Sequence, residues 1–249
     1  MKEKDIVLVT GGDGNIAQAV IKKYLENDCI VIATDIKDEI TNKELEQNQN
    51  FTYYKCDVTK VEDIENLKSQ IEKDYNRITH IISMAGTSIG TDIDGIEKVT
   101  IEDINKTVQL NLVSHIYVTT ILLPLLKKEK KKKTITYISS INAWRAYDVP
   151  VYSATKAGLM GLMHGELQDL GKLGIRVNLL SPGTVLRPWE VVKNEETNGE
   201  YIKGRPKVKY GEYGEFALNT DIADALYAIT HIMKKIVGQN IVIDAGQMA

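Results

Sequence analysis

Ile6-Val7-Leu8-Val9-Thr10-Gly11-Gly12-Asp13-Gly14-Asn15-Ile16-Ala17 is the stretch from which the fold can be read. Its first half is an unalternated aliphatic run, the pattern of a strand buried on both faces. Its second half is a glycine-rich turn, and a helical period (Ile16, Val20, Ile21, Tyr24) follows at once. A strand that turns through glycines into a helix brings backbone N–H groups to the helix's positive end, where a pyrophosphate can be held. The glycines are not spaced as G-x-G-x-x-G. Taken alone, the turn leaves a dinucleotide site and a plain structural turn both open.

The same rhythm continues along the chain. Strands are predicted at Ile6–Thr10, Ile30–Thr34, Phe51–Lys55, Ile78–Ser83, Thr134–Ser139, Ile175–Leu180 and Asn240–Asp244. Helices are predicted at about 14–27, 61–75, 101–126, 151–173 and 220–235, with a shorter polar one near 38–48. Strand–helix alternation implies right-handed crossovers, hence an α/β fold: a doubly wound parallel sheet of about seven strands with helices on both faces. The 249 residues fit one domain, 1–249. From Thr184 to Asn219 no long periodic segment is found, and Trp189, Tyr201, Tyr210, Tyr213 and Phe216 lie among glycines. Exposed aromatics in a long insertion point to a substrate lid at about 184–219, against a merely irregular loop.

Charge and composition exclude several classes. The net charge of −3 draws the chain to neither nucleic acid nor membrane. The basic run Lys127–Lys133 has no interleaved aromatics and reads as a helix C-terminus followed by a solvated loop. The apolar stretch Ile116–Leu126 holds two threonines and a proline and is too short to span a bilayer. The segment after Met1 is too short for a signal-peptide core, so a cytoplasmic location is expected. Cys29 and Cys56 have no metal or redox spacing and read as small buried hydrophobes; no metal is expected.

Two further features carry chemistry. Asp35 ends the second strand, 24 residues after Gly11. An acid about 20 residues past such a turn binds the adenosine ribose 2′-OH and repels a 2′-phosphate, which favours NAD over NADP; a helix N-cap is the structural alternative. Asp13 adds negative charge beside it. Tyr152 and Lys156 lie four apart in Tyr152-Ser153-Ala154-Thr155-Lys156, on one helix face. A free tyrosine, with a pKa of about 10, is too weak an acid for neutral pH, and a nearby ammonium lowers that value. Such a pair also arises by chance in many helices.

Together, in this order along the chain, these residues resemble the short-chain dehydrogenase/reductase family from Val9 to Gly246. The Thr10–Ala17 turn is similar to the cofactor turn, Asp57 to the acid near the adenine, and Met84-Ala85-Gly86 to the Asn-Asn-Ala-Gly segment. Asn111 resembles the helical Asn, Ser140 the catalytic Ser with Ser139 as fallback, and Ser181-Pro182-Gly183 the Pro-Gly after the sixth strand. The departures are Asn15 and Ala17 in place of glycines, Met84 in place of an Asn, and Ala245 in place of a glycine, the last expected to be harmless. The resemblance implies a Rossmann-like fold and hydride exchange between a secondary alcohol and a ketone. It implies catalysis by Asn111, Ser140, Tyr152 and Lys156, with Asn111 holding a water next to Lys156. It implies cofactor contacts from Gly11, Asp13, Gly14, Asn15, Ile16, Asp35, Ile36, Asp57, Val58, Ala85, Gly86, Tyr152, Lys156, Pro182, Gly183, Thr184 and Val185. Backbone groups of Pro182-Gly183-Thr184 are expected at the carboxamide.

The substrate reading is coarser. Ser140, Trp144, Arg145, Tyr152 and Trp189 are expected around it, with Tyr147 nearby and Arg187, Lys193, Arg205 and Lys207 in the lid. Cations there point to a small polar hydroxy compound: a sugar, polyol or hydroxy acid. A 3-oxoacyl-thioester reductase-like enzyme and a non-catalytic dinucleotide-binding sensor are the alternatives. A nucleotide-sugar epimerase needs more chain after the last strand. Gly158, Gly161 and Gly165 in the Tyr152 helix each cost about 1 kcal/mol, which close packing would offset. The family resemblance implies a homodimer or homotetramer formed through helices 101–126 and 151–173.

Overall fold

A computed structural model describes residues 3–130, 132–145, 149–197 and 216–248. Its strands and helices alternate. They are β1 (Ile6–Thr10), α1 (Asn15–Glu26), β2 (Ile30–Asp35), α2 (Lys43–Glu46), β3 (Phe51–Lys55), α3 (Val61–Asp74) and β4 (His80–Ser83), then α4 (Ile101–Val108), α5 (Ser114–Lys128), β5 (Lys133–Ile138) and α6 (Pro150–Lys172). After these come β6 (Ile175–Pro182), β7 (Val185–Leu186), α7 (Pro188–Glu196), β8 (Ala217–Leu218), α8 (Asn219–Tyr227) and β9 (Asn240–Ile243). The main sheet runs β3-β2-β1-β4-β5-β6-β9, parallel throughout. The chain moves outward from β1 in one direction and then returns to its other side with β4. The crevice outside the carboxyl ends of β1 and β4 is therefore the switch point where such sheets bind ligands.

Period-2 side-chain alternation sorts β1 between two cores. Ile6 and Leu8 face α3, α5 and α6, packing with Ile64, Leu67, Val118, Leu122, Leu159 and Met163. Val7 and Val9 face α1 and α8, packing with Val20, Ile21, Tyr24, Ile222 and Leu226. Because both faces are covered, the strand could not afford polar alternation, which is why the run is aliphatic.

Several expectations change at element ends. The polar helix near 38–48 is only the single turn Lys43–Glu46, capped by the Asn42 side chain. Helix 101–126 extends to Lys128 through a π-helical turn, Gln109–Val113. The resulting 28-residue helix is long and apolar enough by length and composition to cross a membrane. Here Val118, Leu122, Leu125 and Leu126 are buried against the sheet. Helix 220–235 ends at Tyr227 and passes into a second π turn, Ala228–Ile232. The basic run is not a uniform solvated loop: Glu129 is buried against Arg77, and Lys133 is buried at the start of β5. Ala245 takes φ +50°, a left-handed angle that costs an L-residue about 1–2 kcal/mol, so replacing a glycine there is not free.

The insertion holds order that periodicity missed. Pro188 at the first turn and the Glu190 carboxylate, which accepts the Arg187 N–H at 2.8 Å, start helix α7. Leu186 and Phe216 are buried together. The rest of the expected lid, with Tyr201, Arg205, Lys207, Tyr210 and Tyr213, lies outside the described residues, as does Tyr147.

Candidate active site

The carboxyl ends of β1, β4, β5 and β6 open on a cavity of about 630 Å³. At its nucleotide end, Gly11 takes φ +67°, and a Cβ there would stand 2.9 Å from Ala85 Cα. Only glycine allows that approach. Gly14 caps α1 without a side-chain hydrogen bond, and Gly14, Asn15 and Ile16 line the cavity. The first backbone N–H groups of α1 are thus offered to an anion rather than to a cap. Asp35 accepts the N–H of Asp13 at 3.1 Å and of Ile36 at 2.8 Å, yet still lines the cavity. The two readings of Asp35, turn cap and ribose ligand, therefore coexist. Ile36, Val58, Ala85, Gly86, Pro182, Gly183 and Val185 line the same space.

Four expected cofactor residues are used differently. Asp13 turns its carboxylate from the cavity to Lys37 and to Thr41. Burial opposes its charge, but those hydrogen bonds outweigh the penalty and hold its pKa below the ordinary value. Asp57 accepts the N–H and hydroxyl of its own turn residue Thr59, at 3.0 and 2.6 Å, and does not line the cavity. The Thr184 N–H is taken by Gln247 Oε1 at 2.6 Å and the Gly183 N–H by the Ile243 carbonyl at 2.9 Å, so neither N–H points to a carboxamide. Gln247 gave no sequence signal because it arrives from the far end of the chain. Thr10 was also missed: its hydroxyl accepts both the Met84 and Ala85 N–H groups, at 3.0 and 3.2 Å. That backbone anchor holds the segment where Met84 lacks an amide side chain.

At the reaction end, Ser140 and Tyr152 both line the cavity, and the Ser140 hydroxyl accepts the Asn142 N–H at 3.2 Å. Ser139, by contrast, donates to the Lys156 carbonyl at 2.9 Å and so braces α6. Asp92, fully buried, accepts the Val151 and Tyr152 N–H groups, both at 2.9 Å, and pins the first turn of α6. Lys156 is 2 % exposed; its Nζ donates to the Ile138 carbonyl at 2.8 Å and lies 5.5 Å from the Tyr152 ring centroid. The ammonium sits over the ring, not at the phenol oxygen. The expected activation of tyrosine by lysine is accordingly not what dominates here. Burial pushes the Tyr152 pKa up, the Ser140 hydrogen bond opposing, and burial pushes Lys156 down to about 8.

Asn111 lies in the π turn, where an extra residue re-aims side chains. Its amide donates to the carbonyls of Thr87 (2.7 Å) and Thr107 (3.0 Å). Its buried Oδ1 has no partner among the described residues. A Cβ on Gly86 would stand 2.5 Å from that oxygen and 3.0 Å from Lys156 Nζ, so all three border one gap. An orphaned acceptor beside an ammonium fits a water site. Of the expected substrate residues, Ser140 and Tyr152 line the cavity; Trp144, Arg145 and Trp189 do not. Trp144 and Trp189 are about half exposed, and Arg187, which does line the cavity, lies over the Trp189 ring at 5.9 Å. The glycine approach, the uncapped helix and the orphaned Asn111 oxygen all fit a bound dinucleotide.

The comparisons with known proteins agree. The short chain dehydrogenase family model matches residues 5–198. The short chain aldehyde dehydrogenase 1 of Euphorbia lathyris is 27% identical over 98% of this chain and 88% of its own length. The NADH-dependent L-xylulose reductase of Ambrosiozyma monospora is 26% identical over 97% of this chain and 94% of its own. The solved structure of ElxO with NADP bound superposes with a TM-score of 0.85 at 23% identity, covering 99% of both chains. With fold, cleft and family model in accord, the chain belongs to the short-chain dehydrogenase family and is an NAD(P)-dependent oxidoreductase acting on CH–OH groups.

Proposed function

We propose that the chain interconverts a small polyhydroxy compound and its ketone, using NAD in preference to NADP. The observation that carries this reading is that Ser140, Tyr152 and Lys156 line one cavity, with the orphaned Asn111 oxygen beside Lys156 Nζ behind Gly86. A bound dinucleotide would supply the hydride acceptor or donor. Ser140 would hold the substrate oxygen, and Tyr152 would exchange the alcohol proton. With its pKa raised by burial, Tyr152 is protonated at neutral pH and is set to donate. Oxidation, which needs the phenolate, should therefore speed up with rising pH. Lys156 would restore the proton through a water on Asn111 Oδ1.

Asp35 supports the NAD preference, because its carboxylate lines the cavity at the ribose end. Lys37, whose charge Asp35 feels, is committed to Asp13. Arg187 at the cavity wall supports a polar substrate, and the L-xylulose reductase relative points the same way. The name of the Euphorbia relative keeps aldehydes in the screen. A Cβ on Gly161 or Gly165 would meet nothing within 4 Å among the described residues; we infer a homo-oligomer through α6 and the α4–α5 helix, in which another copy would supply the packing that offsets the cost of these glycines.

The test is a panel of aldoses, ketoses, polyols, hydroxy acids and aldehydes with NAD or NADH. Wild-type turnover should fall by about 10²–10⁴ in Tyr152→Phe, while NADH binding stays within about twofold. Near-normal turnover in that variant would remove Tyr152 from the chemistry. Turnover confined to acyl thioesters would move the reading to a 3-oxoacyl reductase.

A further inference from the structure

At the opposite, amino-terminal edge of the sheet, three metal-binding side chains converge from distant parts of the chain. Asp5 precedes β1, His80 opens β4, and His231 lies in the π turn after α8. One donor atom from each lies within 4.8 Å of the other two. The His231 Nε2 to Asp5 Oδ2 distance is 3.4 Å, and the Cys29 thiol stands 3.7 Å from the same nitrogen. None of these residues contacts the active-site cavity.

The ring orientations are fixed from behind. His80 Nδ1 is bonded to Thr134 Oγ1 at 2.9 Å, and His231 Nδ1 to Thr230 Oγ1 at 2.7 Å. Each histidine is thus held through one nitrogen by a threonine hydroxyl, which leaves Nε2 for the shared space. Metal-ligating histidines are set in this way, the outer bond fixing tautomer and orientation. The Thr230 hydroxyl also meets the Leu226 and Tyr227 carbonyls, at 2.9 and 3.1 Å, and the Tyr24 hydroxyl at 2.7 Å, so its bond to His231 Nδ1 belongs to a packed network that holds the ring in place. His231 Nε2 then faces the Asp5 carboxylate at 3.4 Å. Bonds of about 2.0–2.1 Å to a tetrahedral zinc put neighbouring N and O donors about 3.4 Å apart. Tyr227 stacks on the His231 ring at 4.5 Å and limits its rotation. The nearby Arg176 guanidinium is directed to the carbonyls of Ile229, Thr230 and Ile236, at 2.8, 3.1 and 2.9 Å, and not into the cluster.

We propose that Asp5, His80 and His231 form a divalent transition-metal site, best suited to zinc, that ties β1 and β4 to the segment leading into β9. Two imidazoles and a carboxylate, with a thiol alongside, select zinc or cobalt over magnesium or calcium. Asp5 and His231 are partly open to solvent, which gives the ion an entry path. The site is structural: bound metal favours the folded state by mass action.

The experiment uses untagged, chelator-treated full-length protein titrated with zinc by calorimetry, with thermal unfolding followed in parallel. Asp5→Asn and His231→Gln change side chains that are not fully buried and are expected to fold. One zinc per chain, with a raised Tm, is expected for the wild type, and both effects should be absent in the two variants. No saturable binding by the wild type, or binding retained by either variant, would overturn the site. Neither result touches the dehydrogenase reading, whose residues lie at the other edge.

Discussion

The two edges of the sheet spend their buried polar groups in opposite ways. At the carboxyl edge, Lys156 is buried, Asn111 Oδ1 has no partner among the described residues, and Ala245 sits in a left-handed conformation. At the amino edge, Thr230 is bonded to both Tyr24 and His231 at 2.7 Å, and His80 is bonded to Thr134 at 2.9 Å. One edge keeps unmet polar capacity for a dinucleotide and substrate; the other ties its hydroxyls and rings to one another and leaves the Asp5, His80 and His231 donors for the proposed metal ion. Strain and orphaned groups concentrate at functional sites because they persist only where binding uses them.

The largest test of this contrast is Gly86→Ala. Its methyl would displace Asn111 Oδ1 or Lys156 Nζ, and steady-state kinetics should show turnover reduced by about 10²-fold, the cost of misplacing groups by about 1 Å. Unchanged kinetics would mean that the gap is not part of the site.

Lys156→Met should abolish activity yet raise stability at pH 7. The folded pKa of Lys156, about 8, lies below its ordinary 10.5. The unfolded chain therefore binds more protons between those values, and wild-type stability recovers as pH rises through that window. Below pH 8 the lysine costs its full penalty, so the variant should gain about 2 kcal/mol there after the lost Ile138 hydrogen bond is subtracted. The gain should vanish above about pH 10.5, as read by denaturant titration at several pH values.

Asp35→Ala should shift the NADH-to-NADPH affinity ratio by about tenfold or more, or ~1.4 kcal/mol, because the carboxylate that repels a 2′-phosphate at the ribose end would be gone. An unchanged ratio would assign Asp35 to turn capping alone. The smallest pair compares the edges directly. Ala245→Gly should stabilise by about 1 kcal/mol, and Tyr24→Phe, which deletes the bond to Thr230, should destabilise by a similar amount. Each corresponds to about 2–4 °C in Tm for a chain of this size. Changes of the same sign in both would collapse the contrast.

The edges also differed in how well the sequence foretold them. The carboxyl edge is built from short contiguous runs, one after each strand: Gly11–Ile16, Asp35-Ile36, Met84–Gly86, Ser139-Ser140 and Pro182-Gly183. Contiguity makes such runs visible in one dimension. What escaped was decided by partners distant in sequence. The Asp13 carboxylate went to Lys37 and Thr41, the Thr184 N–H went to Gln247, and the pinning of Tyr152 came from Asp92. Helix α7 is too short to show a period and is marked by its Pro188 start instead. At the amino edge, Asp5, Cys29, His80 and His231 come singly from four separate places, so no spacing announced them. The twisted sheet alone gathers them.

The most direct measurement is a calorimetric titration of the wild-type protein with NADH and, separately, with NADPH, for which no substrate need be known. Expected is saturable NADH binding, with NADPH weaker by about tenfold or more. Tighter NADPH than NADH would contradict the role given to Asp35, and no binding of either would contradict the cofactor cleft itself.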